Sequence, residues 1–184
     1  MRTMLRLLEL SDVPELTALL RANRGYLRPW EPARDDAYFT EDVQRRFAES
    51  LLAEHRRGTV VPFVVTDGSE ILGRLTLGGI VRGSFQSCVM GYWIRGDRAG
   101  RGHATRAVRL ATEHAFGALG LHRVQAETLV HNLASQTVLE RNGFARYGRS
   151  PKYLKIDGRW QDHIMFQLLA EDRRPGVRAA RPAT

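Results

Sequence analysis

An apolar stretch at Val89–Ile94 passes through a loop with three glycines and turns directly into a helical pattern. The loop reads Arg95-Gly96-Asp97-Arg98-Ala99-Gly100-Arg101-Gly102-His103-Ala104-Thr105. Ala107, Val108, Leu110, Ala111, Ala115, Phe116 and Leu119 follow at helical spacing, and Gly120 stops the helix. A loop that enters a helix this way aims free backbone N–H groups at one point, and the positive end of the helix dipole adds to them. Glycines let a ligand's phosphates approach the main chain without meeting a Cβ. At about 1.5–3 kcal/mol for each charge-assisted hydrogen bond, three or four would hold a pyrophosphate.

Three nucleotide-binding patterns can be compared with this loop. A Walker A loop needs G-x-x-x-x-G-K-[ST], and the loop has no lysine. A dinucleotide fingerprint, G-x-G-x-x-G/A, fits Gly100 and Gly102 but meets Thr105, and no doubly wound βαβ pattern surrounds it. The acetyl-CoA pattern Q/R-x-x-G-x-G/A matches at Gly102 and Ala104. Taken alone, the loop is equally an ordinary glycine-rich turn.

The rest of the chain reads as one mixed α/β domain over residues 1–170. Leu5–Glu9 is a short strand, and Asp12 with Glu15 resembles a capping box opening a helix that runs to about Arg24. Gly25–Pro32 reads as irregular, and Thr40 caps a second helix that ends before Gly58. Val60–Thr66 and Ile71–Leu77 flank Asp67-Gly68-Ser69-Glu70 as a hairpin. Arg123–Leu129 is a strand, Ala134–Asn142 a helix, and Phe144–Arg149 and Ile164–Leu169 are closing strands. Residues 171–184, rich in Pro, Gly, Ala and Arg, are expected to be a disordered basic tail.

Composition narrows the function. With 43% apolar and 26% charged residues the 184-residue chain is ordinary globular material. No apolar run approaches the roughly 18–20 residues of a membrane span, and no secretory leader is evident, so a cytoplasmic protein is expected. The single cysteine, Cys88, excludes an internal disulfide and reads as a small buried hydrophobe. The six histidines show no metal-ligand spacing, so no metal is expected. A net charge of +8 suits an anionic partner, whether nucleic acid, ribosome or a phosphate-rich cofactor, or reflects an arginine-rich composition.

The loop is joined by Gly91-Tyr92-Trp93 before it, and by Asn132-Leu133-Ala134-Ser135 and Val138-Leu139-Glu140-Arg141-Asn142-Gly143-Phe144 after it. Together these segments resemble the GNAT acetyltransferase superfamily. Tyr26–Pro32 and Lys155–His163 narrow the resemblance to the RimJ/RimL-type ribosomal-protein N-terminal acetyltransferases, over about residues 4–169. The resemblance implies an α+β fold: a twisted, mostly antiparallel sheet flanked by helices, with a central parallel pair, Val89–Ile94 and Arg123–Leu129, splayed around the pantetheine arm of acetyl-CoA.

The resemblance also assigns residues. Trp93 and Ile94 would hydrogen-bond the arm and thioester through their backbones. Ala99, Gly100, Arg101, Gly102, His103, Ala104 and Thr105 would take the pyrophosphate. Asn132 and Ser135 would reach the cofactor, and Arg101 and Arg106 either meet the outer phosphates or form a solvated face. The family usually carries Gln or Arg where this chain has Ala99, and many members carry a tyrosine acid where it has Leu139. In RimL-like enzymes the serine matching Ser135 is the proposed acid; as a residue it also reads as a helix N-cap. Glu31 and Asp97 are candidate bases, with Glu127 a third. Tyr26, Trp30, Glu31, Tyr153 and Trp160 lie in segments the family uses around the acceptor, although loop aromatics also serve as core lids. The implied acceptor is a protein or peptide with a free N-terminus, such as an N-terminal alanine of a ribosomal protein. Two alternatives remain: a small amine (polyamine, aminoglycoside or amino acid), or a basic RNA- or ribosome-binding module with a regulatory acetyl-CoA site. The sequence leaves monomer and homodimer open.

Overall fold

The computed structural model describes residues 3–172. The expected tail therefore lies outside the described residues, apart from Glu171 and Asp172. Among the described residues seven strands form one sheet in the order β1-β2-β3-β4-β5-β7-β6. They are β1 (Met4–Leu7), β2 (Val61–Thr66), β3 (Ile71–Val81), β4 (Ser87–Ile94), β5 (Arg123–Leu129), β6 (Ala145–Ile156) and β7 (Arg159–Leu169). Neighbours are antiparallel except β4 and β5, which run parallel. The helices are α1 (Val13–Ala22), α2 (Arg24–Leu27), α3 (Glu41–Arg56), α4 (His103–Gly117) and α5 (Leu133–Arg141). None is long and apolar enough to cross a membrane.

Two apolar layers position the sheet. On one face Val65, Leu75, Leu77, Met90, Val124 and Phe166 pack against Ala107, Val108 and Ala111 of α4 and Leu139 of α5. On the other, Val64 and Ile71 meet Leu16 and Leu19 of α1 and Ala48 of α3, with Trp93 at the margin. Side chains along a strand alternate faces, so Met90 and Tyr92 look toward α4 and α5, whereas Gly91 and Trp93 look the other way.

Several boundaries differ from the sequence expectation. β6 and β7 extend well beyond Phe144–Arg149 and Ile164–Leu169, meeting at Asp157-Gly158. Both turn residues have positive φ, 43° and 78°, as a tight two-residue hairpin requires. β6 is an edge strand exposed along almost all its length, so no apolar alternation marks its outer half. Residues 25–27, expected to be irregular, belong to a further helical turn, Arg24–Leu27. The expected capping box is replaced by a different arrangement. Asp12 accepts from the Glu9 N–H (2.8 Å) and pairs with Arg6 (2.6 Å), while Glu15 accepts from the Ile71 N–H (2.6 Å), tying α1 to β3.

Close packing fixes β3 against β4. A Cβ added to Gly73 would lie 2.0 Å from the Trp93 carbonyl oxygen, inside any allowed contact. Gly73→Ala is expected to cost about 1–3 kcal/mol by overpacking, read as a lower denaturant midpoint with an unchanged slope. A variant as stable as the parent would contradict this packing.

Candidate active site

β4 and β5 are registered over three pairs, Ser87↔Arg123, Cys88↔Val124 and Val89↔Gln125. Past that point β4 stays with β3 as far as Gly73↔Ile94, and β5 stays with β7 as far as Leu129↔His163. The two strands separate, and a cavity of about 650 Å³ opens between Met90–Ile94 and Ala126–Leu129. The parallel pair is thus the one the family resemblance implied. β4 residues beyond Val89 turn their gap-facing N–H and C=O groups to this cavity rather than to β5.

The glycine loop closes one end. Gly100 and Gly102 have φ of 72° and 81°, and an added Cβ at either would meet nothing within 4 Å. Their conformation demands glycine; crowding does not. Gly102 is the N-cap of α4 and offers no side chain. The first helical bond runs from the Arg106 N–H to the Gly102 carbonyl (3.0 Å), so the amides of His103, Ala104 and Thr105 have no acceptor within the helix. Ala99, Gly100, Gly102, His103, Ala104 and Thr105 line the cavity, while Arg101 stands outside it. His103 is buried with Nδ1 3.0 Å from Thr3 Oγ1, and desolvation lowers its pKa. Arg98 lines the cavity and is held by Glu70, with its Nε buried and unpartnered.

Asp97 is not part of this lining. Its carboxylate takes a hydrogen bond from Arg95 Nε (2.7 Å), which holds it below the ordinary carboxylate range. A carboxylate so stabilised is a poor proton acceptor, so the structure does not favour Asp97 as a base. Arg106 Nε is directed at the Thr3 carbonyl (3.3 Å).

α5 borders the gap. Asn132, not Ser135, is its N-cap: Asn132 Oδ1 accepts from the Ser135 N–H (3.1 Å). The serine side chain is therefore free of the capping role the sequence left open. Ser135 Oγ lies 2.9 Å from the Tyr92 hydroxyl. Burial pushes the Tyr92 phenol up to about 12, with the bond to Ser135 opposing. In the sequence Tyr92 stands out only within Gly91-Tyr92-Trp93; its two-residue spacing from Met90 puts both on the sheet face that meets α4 and α5. Leu139 is fully buried in the core.

The opposite face of the gap carries two carboxylates. Glu127 accepts from the Tyr153 hydroxyl (3.1 Å), and burial raises its pKa. Glu31 is held where Asp157 donates its N–H to the Glu31 carbonyl (3.1 Å). Burial raises the Glu31 pKa as well, opposed by Arg34 and Arg74. Both glutamates line the cavity with Tyr26 and Trp30. The Trp30 ring is 5.6 Å from that of His131, and Tyr153 is edge-on to His163 at 5.4 Å. Trp160, 62% exposed, stands away from the lining. Among the described residues no group of His, Cys, Asp or Glu is arranged to hold a metal.

Residues 2–145 match the family model described as Acetyltransferase (GNAT) domain. The chain is 32% identical over 177 residues to the [Ribosomal protein uS5]-alanine N-acetyltransferase of Escherichia coli, covering 95% of this chain and 91% of that protein. It is similar to the solved structure of Mycobacterium smegmatis RimJ in complex with CoA-disulfide, with TM-score 0.90 and 33% identity over 92% of this chain and 83% of that one. It is also similar to the ribosomal-protein-S5-alanine acetyltransferase of Vibrio fischeri, with TM-score 0.88 and 32% identity over 95% and 97% of the two chains.

Asn132→Ala is expected to cost about 1 kcal/mol of stability through loss of the α5 cap, and Asn132→Asp to restore it. Denaturant unfolding checks this; equal midpoints for Ala and Asp would contradict the capping role.

Proposed function

This chain belongs to the GNAT acetyltransferase family, and on that premise we propose that it moves the acetyl group of acetyl-CoA to the N-terminal α-amine of a protein, with ribosomal proteins as the substrate class. The observation that carries this reading is the polarity of the cavity. Free amides, Arg98 and glycines of open, positive-φ geometry lie at one end; Glu31 and Glu127 lie at the other. The first end suits a diphosphate, the second an amine that arrives as a cation. Among relatives, the Escherichia coli protein is named for alanine acetylation of uS5.

In this reading Gly100–Thr105 hold the pyrophosphate through backbone N–H groups, and Asn132 and the backbone at Trp93 and Ile94 line the arm's course. The acetyl donor supplies an activated thioester at the gap. After giving its ammonium proton to solvent, the amine nitrogen would attack the thioester carbonyl carbon; the C–S bond would break, and the sulfur would leave with the electron pair. Ser135 Oγ–H would stabilise that sulfur. Glu31 or Glu127 takes the proton lost by nitrogen, directly or through water. Burial raises the pKa of both carboxylates, which brings them nearer the amine in basicity. Deprotonating an α-amine of pKa about 7.8 at pH 7 costs about 1 kcal/mol, against about 4.6 kcal/mol for a lysine at about 10.4. Such weak bases therefore suit an α-amine. Tyr26 and Trp30 line the acceptor end, and Tyr153, outside the lining, reaches it through its hydroxyl on Glu127. Residues 1–170 act as the whole domain, in the cytoplasm.

The purified protein is expected to release thiol from acetyl-CoA when given a peptide with a free N-terminal alanine, and to fail when that amine is blocked. Equal rates with a lysine side chain or a polyamine as the sole amine would contradict the N-terminal reading.

Gly102→Val, placing a β-branched residue at φ 81°, is expected to weaken CoA binding by about tenfold or more, since about 1.4 kcal/mol of lost phosphate contact suffices. Calorimetry reads the affinity; an unchanged value would contradict the phosphate role of this loop.

A further inference from the structure

We propose that Tyr92 is a positioning residue for Ser135: its phenol donates to Ser135 Oγ and thereby turns the serine's own hydrogen toward the departing sulfur. This rests on the reading of Ser135 given above. The two hydroxyls are 2.9 Å apart and come from opposite sides of the gap, one from β4 and the other from α5. The bond spans the cleavage between strands that no longer pair with each other.

The rest of the serine is already committed. Its N–H is bound by Asn132 Oδ1 at 3.1 Å, which fixes the backbone and leaves only the rotation of the hydroxyl. That rotation decides whether Ser135 acts as a donor to sulfur. An aliphatic hydroxyl has one hydrogen. If it were given to Tyr92, none would remain for the sulfur. A phenol is the stronger donor of the two, so the favoured direction is Tyr92 to Ser135. The competing acceptor for the phenol, the Ser135 carbonyl, lies at a longer 3.4 Å. The buried Tyr92 remains a neutral O–H through the working range of an amine substrate, so the donor is always present. No hydroxyl is available from position 139, where Leu139 is fully buried. Tyr92 thus fixes from the sheet what Ser135 presents from the helix.

Tyr92→Phe removes only the hydroxyl. It is expected to lower kcat about tenfold, the size of one oriented hydrogen bond of about 1.4 kcal/mol. The KM for acetyl-CoA and the calorimetric affinity for CoA should stay within about twofold, well below that step. Ser135→Ala should lose at least as much kcat as Tyr92→Phe, and the double variant no more than Ser135→Ala alone, because both changes remove the same donor. Additive losses, or a Tyr92→Phe defect confined to KM or to melting temperature, would overturn the positioning role. If Ser135→Ala is slow while Tyr92→Phe turns over at the parent rate, the inference about Tyr92 falls and the reading of Ser135 stands. If Ser135→Ala turns over at the parent rate, the reading of Ser135 falls and the proposal with it.

Discussion

β4 and β5 are each bound to a different antiparallel neighbour, and this double commitment shapes everything around the gap. β3 keeps β4 in register to Ile94, and β7 keeps β5 in register to Leu129. The parallel pair between them is left with three registered positions at its start. A twisted sheet would otherwise close this seam by hydrogen bonding. Here the seam opens, and the strand edges face a cavity instead of each other. The contact of Gly73 with the Trp93 carbonyl locks one wall, and the α5 cap at Asn132 sets Ser135 against Tyr92 on the helical side. The side-chain alternation of β4 and β5 then assigns one face of the gap to α4 and α5 and the other to Glu127 and the α2 region.

The same geometry explains how a basic protein can hold acidic groups where an amine would enter. The net charge of +8 describes the whole chain, but Asp97, Glu70, Arg95 and Arg98 neutralise one another beside the loop. Among the described residues Glu31 and Glu127 have no such ion pair; Glu127 is bonded to a tyrosine, and Glu31 feels Arg34 and Arg74 through space. Desolvation therefore dominates both, and it keeps them more basic than surface carboxylates. Overall composition gave no hint of this, because pairing depends on which arginines the fold brings near which acids.

What was legible in the chain was local. The glycine loop, its helix and the two strands flanking them were readable one by one, because turn chemistry and apolar periodicity act within a few residues; that the two strands form a splayed parallel seam came from the family resemblance alone. The bonds that make the site specific join distant positions. Tyr92 meets Ser135, Tyr153 meets Glu127, and Asp157 meets Glu31, and no periodicity announces such pairs. The outer half of β6 was missed for a related reason: an edge strand exposed on both faces has no buried stripe. Its turn, Asp157-Gly158, did carry a hairpin signal. Asp97 was a candidate base in the sequence; its pairing with Arg95, which joins side chains two residues apart, shows where its charge is spent.

The claim on which the account turns is that the open seam and the amides of Gly100–Thr105 together receive one extended ligand. Amide NMR during titration with CoA tests this directly. The account predicts saturable shifts at Gly100–Thr105 and along Gly91–Ile94 and Glu127–Asn132, all with one binding constant, while β1, β2 and α3 stay unmoved. Shifts confined to other surfaces, or none at the loop and seam under saturating CoA, would contradict it.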